Sequence, residues 1–165
     1  MVLCYRVTSK WFELPVDFDD YLDIGDVEKV SENLGIARAL IEDAESRLRF
    51  VRAVIESISI EEENAKFVFE NNYDVMRACA ECLMRADGYN TKGPNSHEIA
   101  AAFVRDKCPE FEGKLADDFN RYRRMRNDSK YRANYVTDDV ARESFAIAEE
   151  YVRITRSSFN LKYRV

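Results

Sequence analysis

Apolar residues recur along much of this chain with the period of a helix. Ala37, Ile41, Ala44, Leu48, Val51, Ile55 and Ile58 follow one another in steps of four and three. That spacing places them on one face of an α-helix. It predicts a long amphipathic helix of roughly 28 residues, with Ser31 as its N-cap and Glu32 in the first turn. A second helix is expected after Glu61, Glu62 and Glu63 and runs to Ala86. Val75, Cys79, Cys82 and Ala86 form one stripe, and Met76, Ala80 and Leu83 the next. So wide an apolar face implies more than one packed neighbour. Its polar side reads Glu70, Asp74, Arg77, Glu81 and Arg85.

Asp87-Gly88 ends that helix. Residues 89–96 form the clearest loop. Ser96 is expected to cap a third helix from His97 to Lys107, stopped by Pro109. A fourth is expected from Phe111 or Lys114 to Tyr131, with Leu115, Phe119 and Tyr122 at helical spacing. Thr137 caps a fifth, with Asp138 and Asp139 in its first turn. No stretch alternates with period two for long enough to require a strand. The pattern implies an all-α fold, an elongated up-and-down bundle of four to five helices. Its expected organisation is an acidic and aromatic N-terminal arm over 1–30, the bundle over 31–156 and a tail over 157–165.

Composition narrows the class. The chain has 165 residues, 46% hydrophobic, with only 5 Gly and 3 Pro. That suits one packed domain and excludes disordered, collagenous or turn-dense chains. No apolar run approaches the roughly 18 residues of a membrane span. Residues 1–20 lack a sustained apolar stretch and turn acidic, unlike a signal peptide. Together with four Cys, this leads to an expectation of reduced thiols and a cytoplasmic location.

The net charge of −6 conceals a local reversal. Residues 121–132 hold Arg121, Arg123, Arg124, Arg126, Lys130 and Arg132 against one acid, Asp128. Helical spacing brings Arg123, Arg126 and Lys130 to one side, with Tyr122 and Met125 nearer the core. Guanidinium groups so clustered can grip phosphate bidentately. The other reading of the same residues is a solvated face paired with the acidic arm or with a partner's acids.

Arg121, Arg126, Asn127 and Tyr131, followed by a capped Ala-rich helix ending Ala148-Glu149-Glu150-Tyr151-Val152, resemble the HEPN family of nucleotide-binding helical domains. Ala80, Leu83, Met84 and Gly88, then a loop and Ser96-His97, also look like that family's middle helices. The resemblance spans about residues 31–156. It implies a helical bundle, usually dimeric, of toxin–antitoxin or defence type. Active members carry an Arg and a His from each subunit and cleave RNA without metal. Others bind nucleotides or partner a nucleotidyltransferase. Here Arg126 matches the Arg and Asn127 the polar residue after it. Tyr131 stands where active members have His. A Tyr with its ordinary pKa near 10 is a poor base. Binding of RNA or a nucleotide by Arg121, Arg123, Arg124, Arg126, Asn127 and Lys130 is therefore expected ahead of endoribonuclease activity by Arg126 and Tyr131. The resemblance also implies that Asp74 and Arg77 line the cleft; as a plain surface pair they would be worth little. The resemblance also implies a homodimer. The alternative is a non-catalytic module docking an acidic protein.

Other constellations are weaker. His97 is the only His, and a structural hydrogen bond is its expected role. Cys79 and Cys82 lie inside an amphipathic helix and are read as core rather than as a zinc or redox pair. The acids Asp17, Asp19 and Asp20 lack the Gly and rhythm of a calcium loop. Five isolated Gly make no phosphate loop. No metal or cofactor is expected.

Overall fold

A computed structural model describes residues 16–132 and 136–163, with 129–132 described by backbone alone. It is all-α with one minimal sheet. The elements in order are α1 (Phe18–Asp23), β1 (Val27–Lys29), α2 (Leu34–Ser57), α3 (Glu62–Ala86), β2 (Tyr89–Thr91), α4 (Ser96–Lys107), α5 (Lys114–Arg132) and α6 (Asp138–Tyr163).

Helix α3 is the centre of the bundle. It packs against α2 and α6 over most of its length and also meets α4 and α5. Val75, Met76, Cys79, Ala80, Cys82, Leu83 and Ala86 are all fully buried, so both apolar stripes are used. Cys79, Cys82 and Cys108 are free thiols in this core. Burial pushes their pKa values up. Thiols so held are inert. Cys4 lies outside the described residues.

The boundaries differ from expectation at four places. Helix α4 begins at Ser96 itself, because Asn95 O accepts from Glu98 N–H at 2.9 Å and from Ile99 N–H at 3.0 Å; Ser96 is therefore its first residue and not its cap. Helix α2 starts at Leu34, not at Ser31. Val30 N–H donates to Gly88 O at 2.8 Å and Asn33 N–H to Arg85 O at 3.0 Å, so residues 30–33 are tied to the end of α3. Asn33 then caps α2 by accepting from Ile36 N–H at 2.9 Å. Gly88 has φ +77°, and a Cβ there would meet Val30 O at 2.7 Å. Only glycine allows that close approach.

Residues 16–30 fold onto the bundle, and 1–15 lie outside the described residues. Phe18 is fully buried. Its ring packs edge-on against Tyr89 and Phe103, each at 5.1 Å. Asp19 pairs with Lys107, and Asp17 with Arg105. Among the described residues, Asp17 and Asp19 of the arm thus pair with cations of α4. Strands β1 and β2 pair antiparallel with Glu28 opposite Asn90. Three residues each are too few to show a period in sequence.

Helix α6 continues past 156 to Tyr163, and Phe159 is fully buried. Tyr163 Oη donates to Asp87 Oδ1 at 2.8 Å. Residues 157–163 thus belong to the bundle, not to a tail.

Candidate functional site

Helix α5 turns its apolar side inward through Phe119 and Tyr122, both fully buried, with Met125 partly buried beside them. The basic residues therefore emerge in several directions. Arg121 and Arg126 are five residues apart, roughly 140° around the helix. Arg121 turns toward α6. It pairs with Glu143 at 2.9 Å and Asp118 at 3.3 Å, and donates to Tyr122 Oη at 2.9 Å. Its guanidinium lies 4.7 Å from the Tyr122 ring centre. Arg121 is thus a bundle residue and does not join Arg126 in a cleft. Arg123 and Arg124 line a groove against α4. Asn127 is exposed. The side chains of Lys130 and Tyr131 lie outside the described residues.

Arg126 faces α3 and α2. Its side chain is 15% exposed and stands 3.9 Å from Asp74. Its guanidinium sits 5.2 Å from the Tyr73 ring centre, within cation–π range. The cavity it enters measures about 210 Å³. Asp43 and Arg47 of α2 and Asp74, Arg77 and Glu81 of α3 line it with Arg126. Asp74 and Arg77 therefore line one cavity with Arg126, though they do not pair with each other. Arg77 Nε donates to Glu81 at 2.9 Å, and Arg47 Nε to Asp43 at 2.7 Å.

His97, at the start of α4, reaches the same region. Its Nδ1 is 2.8 Å from Tyr73 Oη, and its Nε2 is 3.0 Å from Arg77 Nη1. The two rings are nearly parallel, at 7°. A guanidinium can only donate, so Nε2 accepts. That assigns the proton of the neutral imidazole to Nδ1, which donates to Tyr73 Oη. Burial pushes the Tyr73 hydroxyl up to about 12, while Arg126, Arg77 and Arg123 pull it down. The hydroxyl is therefore neutral at physiological pH and serves as a hydrogen-bonding anchor.

Tyr73 is the residue that sequence reasoning missed here; for His97 it expected a structural hydrogen bond but not this location. A usable signal was present. Tyr73, Arg77 and Glu81 are spaced i, i+4, i+8 and share one stripe of α3. That His97 faces this stripe needs tertiary placement to be seen.

The arrangement can bind an oxyanion by charge-assisted hydrogen bonds from Arg126 and Arg77, next to one imidazole. Among the described residues, no group of three or more His, Cys, Asp or Glu could hold a metal ion. Nor is any described helix long and apolar enough to cross a membrane. Compared with protein-family models, curated proteins and solved structures, the chain matches none.

Proposed function

We propose that this chain is a HEPN-like protein of toxin–antitoxin or defence type that binds RNA or a nucleotide, with a phosphate seated at Arg126 and Arg77. The observation that carries the reading is the convergence of Arg126 from α5 with Arg77 and Arg47 in one open cavity. Asp74, at 3.9 Å from Arg126, is beyond hydrogen-bond length. A phosphate entering there displaces no close bond to that carboxylate.

The same face supports a homodimer. Arg47 and Phe50 are one turn apart on α2, and Phe67 and Asp74 two turns apart on α3. Phe50 and Phe67 are 62% and 64% exposed, large values for phenylalanine. Three guanidiniums and three carboxylates line the cavity further along the same two helices. Such a face is self-complementary in charge, which an isologous interface requires. Those phenylalanines equally favour the second reading, a module that covers this face with a nucleotidyltransferase or other protein.

The test is a gel-shift and cleavage assay in chelator with structured and unstructured RNAs, comparing wild type with Arg126→Ala. Retardation that the variant loses supports the binding reading. Cleavage that the variant loses extends it to a metal-independent endoribonuclease. No RNA affinity at low salt, with a stable complex to a protein partner, replaces it with the second reading.

A further inference from the structure

Two cavities involve helix α5, and they differ in size. The Arg126 cavity holds about 210 Å³. Sites for small organic ligands usually span about 300–1,000 Å³. Space of that order admits a phosphate group but not a whole nucleotide. The groove between α4 and α5 holds about 780 Å³. Ala101 and Ala102 of α4 and Ala116 of α5 supply its small apolar lining.

Its rim is polar and uneven. Arg105 is already engaged: its Nε and Nη2 donate to Asp106 at 2.6 and 2.7 Å, and Nη2 also to Val16 O at 3.0 Å. Arg123 Nε donates to Asn120 Oδ1 at 3.1 Å, with Glu98 3.8 Å from Nη1. Arg124 is exposed and makes no hydrogen bond or ion pair among the described residues. Asp117 completes the rim.

The two spaces are neighbours. His97 reaches toward Arg77 on one side, while the next residue, Glu98, lines the groove on the other. Arg123 acts on both: its charge lowers the Tyr73 hydroxyl beside Arg126 and the Tyr21 hydroxyl beside Glu98.

Resting on the binding reading above, we propose that the α4/α5 groove holds the nucleotide adjoining the phosphate at Arg126, so that the ligand is single-stranded RNA crossing the start of α4. The groove's donors and acceptors suit such a strand. Arg124 meets the next phosphate. The Glu98 and Asp117 carboxylates and Asn120 meet the donors and acceptors on a base edge. The alanine floor takes the face of a base or ribose. A duplex buries those base edges in pairs, so it offers the groove only backbone.

The test is fluorescence anisotropy of a labelled 12-nucleotide single-stranded RNA and the matching blunt duplex, against wild type and four variants. Arg124→Glu removes an unpartnered exposed cation, so the fold is kept. Ala102→Leu fills the groove without changing charge, with its folding checked by thermal melt. Arg153→Glu, at an exposed site on α6, controls for bulk charge, and Arg126→Ala reports on the phosphate seat. The expected result is tighter binding of the single strand than of the duplex, about tenfold weaker single-strand binding for Arg124→Glu with a shallower salt dependence, and wild-type affinity for Arg153→Glu. A folded Ala102→Leu is expected to weaken binding as well. If Arg126→Ala alone weakens binding, the groove assignment falls and the phosphate seat stands. Equal losses for Arg124→Glu and Arg153→Glu, or equal affinity for duplex and single strand, also overturn the groove assignment. If wild type binds neither RNA, the groove and the reading beneath it fall together.

Discussion

Arg156 and Arg126 each reach from one helix to a carboxylate on another, and they end in opposite conditions. Arg156 of α6 closes a two-bond fork on Glu45 of α2, with Nε and Nη2 each at 2.8 Å. Arg126 of α5 lies over the Tyr73 ring with Asp74 3.9 Å away and a cavity in front of it. The first geometry is complete as it stands, because planar guanidinium and carboxylate match bond for bond. The second stacks the cation on a ring and sets it in the wall of a cavity. Two arginines that each cross between helices thus differ in what their guanidiniums meet, a carboxylate fork or an aromatic ring at a cavity wall, and not in charge.

The largest expected effect breaks the contrast at its open end. Arg126→Ala should weaken RNA binding by roughly 10–100-fold, the worth of a charge-assisted contact of about 1.5–3 kcal/mol. Its thermal midpoint should stay close to wild type, read in the same preparation. A large fall in stability with unchanged RNA affinity would place Arg126 with Arg156 as a fastener.

Glu45→Ala is the reverse experiment. It should cost about 1 kcal/mol in denaturant unfolding, a figure kept small because the pair is partly solvated. RNA affinity should not move. The pair also sets an acid limit. Hydrogen bonds from Arg156 hold the Glu45 carboxyl below its ordinary value near 4.5. The carboxylate form is therefore favoured in the folded state. Its stabilisation is present above that ordinary value and is lost as pH falls through the lower folded-state value. Glu45→Gln should flatten the stability profile below about pH 4.5. An unchanged profile would show that Arg156 does not favour the ionised carboxyl.

Tyr73→Phe sharpens the comparison inside the cavity. The ring under Arg126 remains, and only the hydroxyl bonded to His97 is lost. The expected cost is about 1 kcal/mol, the net worth of one hydrogen bond. The informative readout is the His97 imidazole in nuclear magnetic resonance. Its Nδ1 proton signal should shift or exchange faster in the variant. An unaltered imidazole would mean that Tyr73 does not orient it.

Sequence showed the helices better than it showed the site, for a physical reason. A helix that buries a stripe must repeat apolar residues every three to four positions, so α3 and α6 could be placed by pattern and by Thr137, which accepts from Val140 N–H at 3.3 Å. The start of α2 was displaced because backbone bonds from residues 30 and 33 to the end of α3 are long-range, and no local pattern encodes them. The site depends on such placement throughout. Arg126, Asp74 and Arg77 could be nominated from spacing and resemblance, and they do come together. Arg121 could not be separated from them by charge alone, because its partner Glu143 lies on another helix. Tyr73 and His97 carry the arrangement, yet in the sequence one reads as a core aromatic and the other as an isolated histidine.

The smallest expected effect is at Arg153, which tests whether charge pairing alone marks a fastener. Arg153 and Glu150 are three residues apart on α6, and Arg153 Nε donates to Glu150 at 2.8 Å. On contacts alone the pair resembles Arg156 and Glu45. It differs in linking one turn of helix to itself, with the arginine side chain 68% exposed. Water competes for both charges, and ordering two long side chains offsets the attraction. Arg153→Ala should therefore unfold at the same denaturant concentration as wild type, within the error of the measurement. A loss as large as that of Glu45→Ala would mean that geometry of pairing, rather than the joining of separate helices, is what stabilises this bundle.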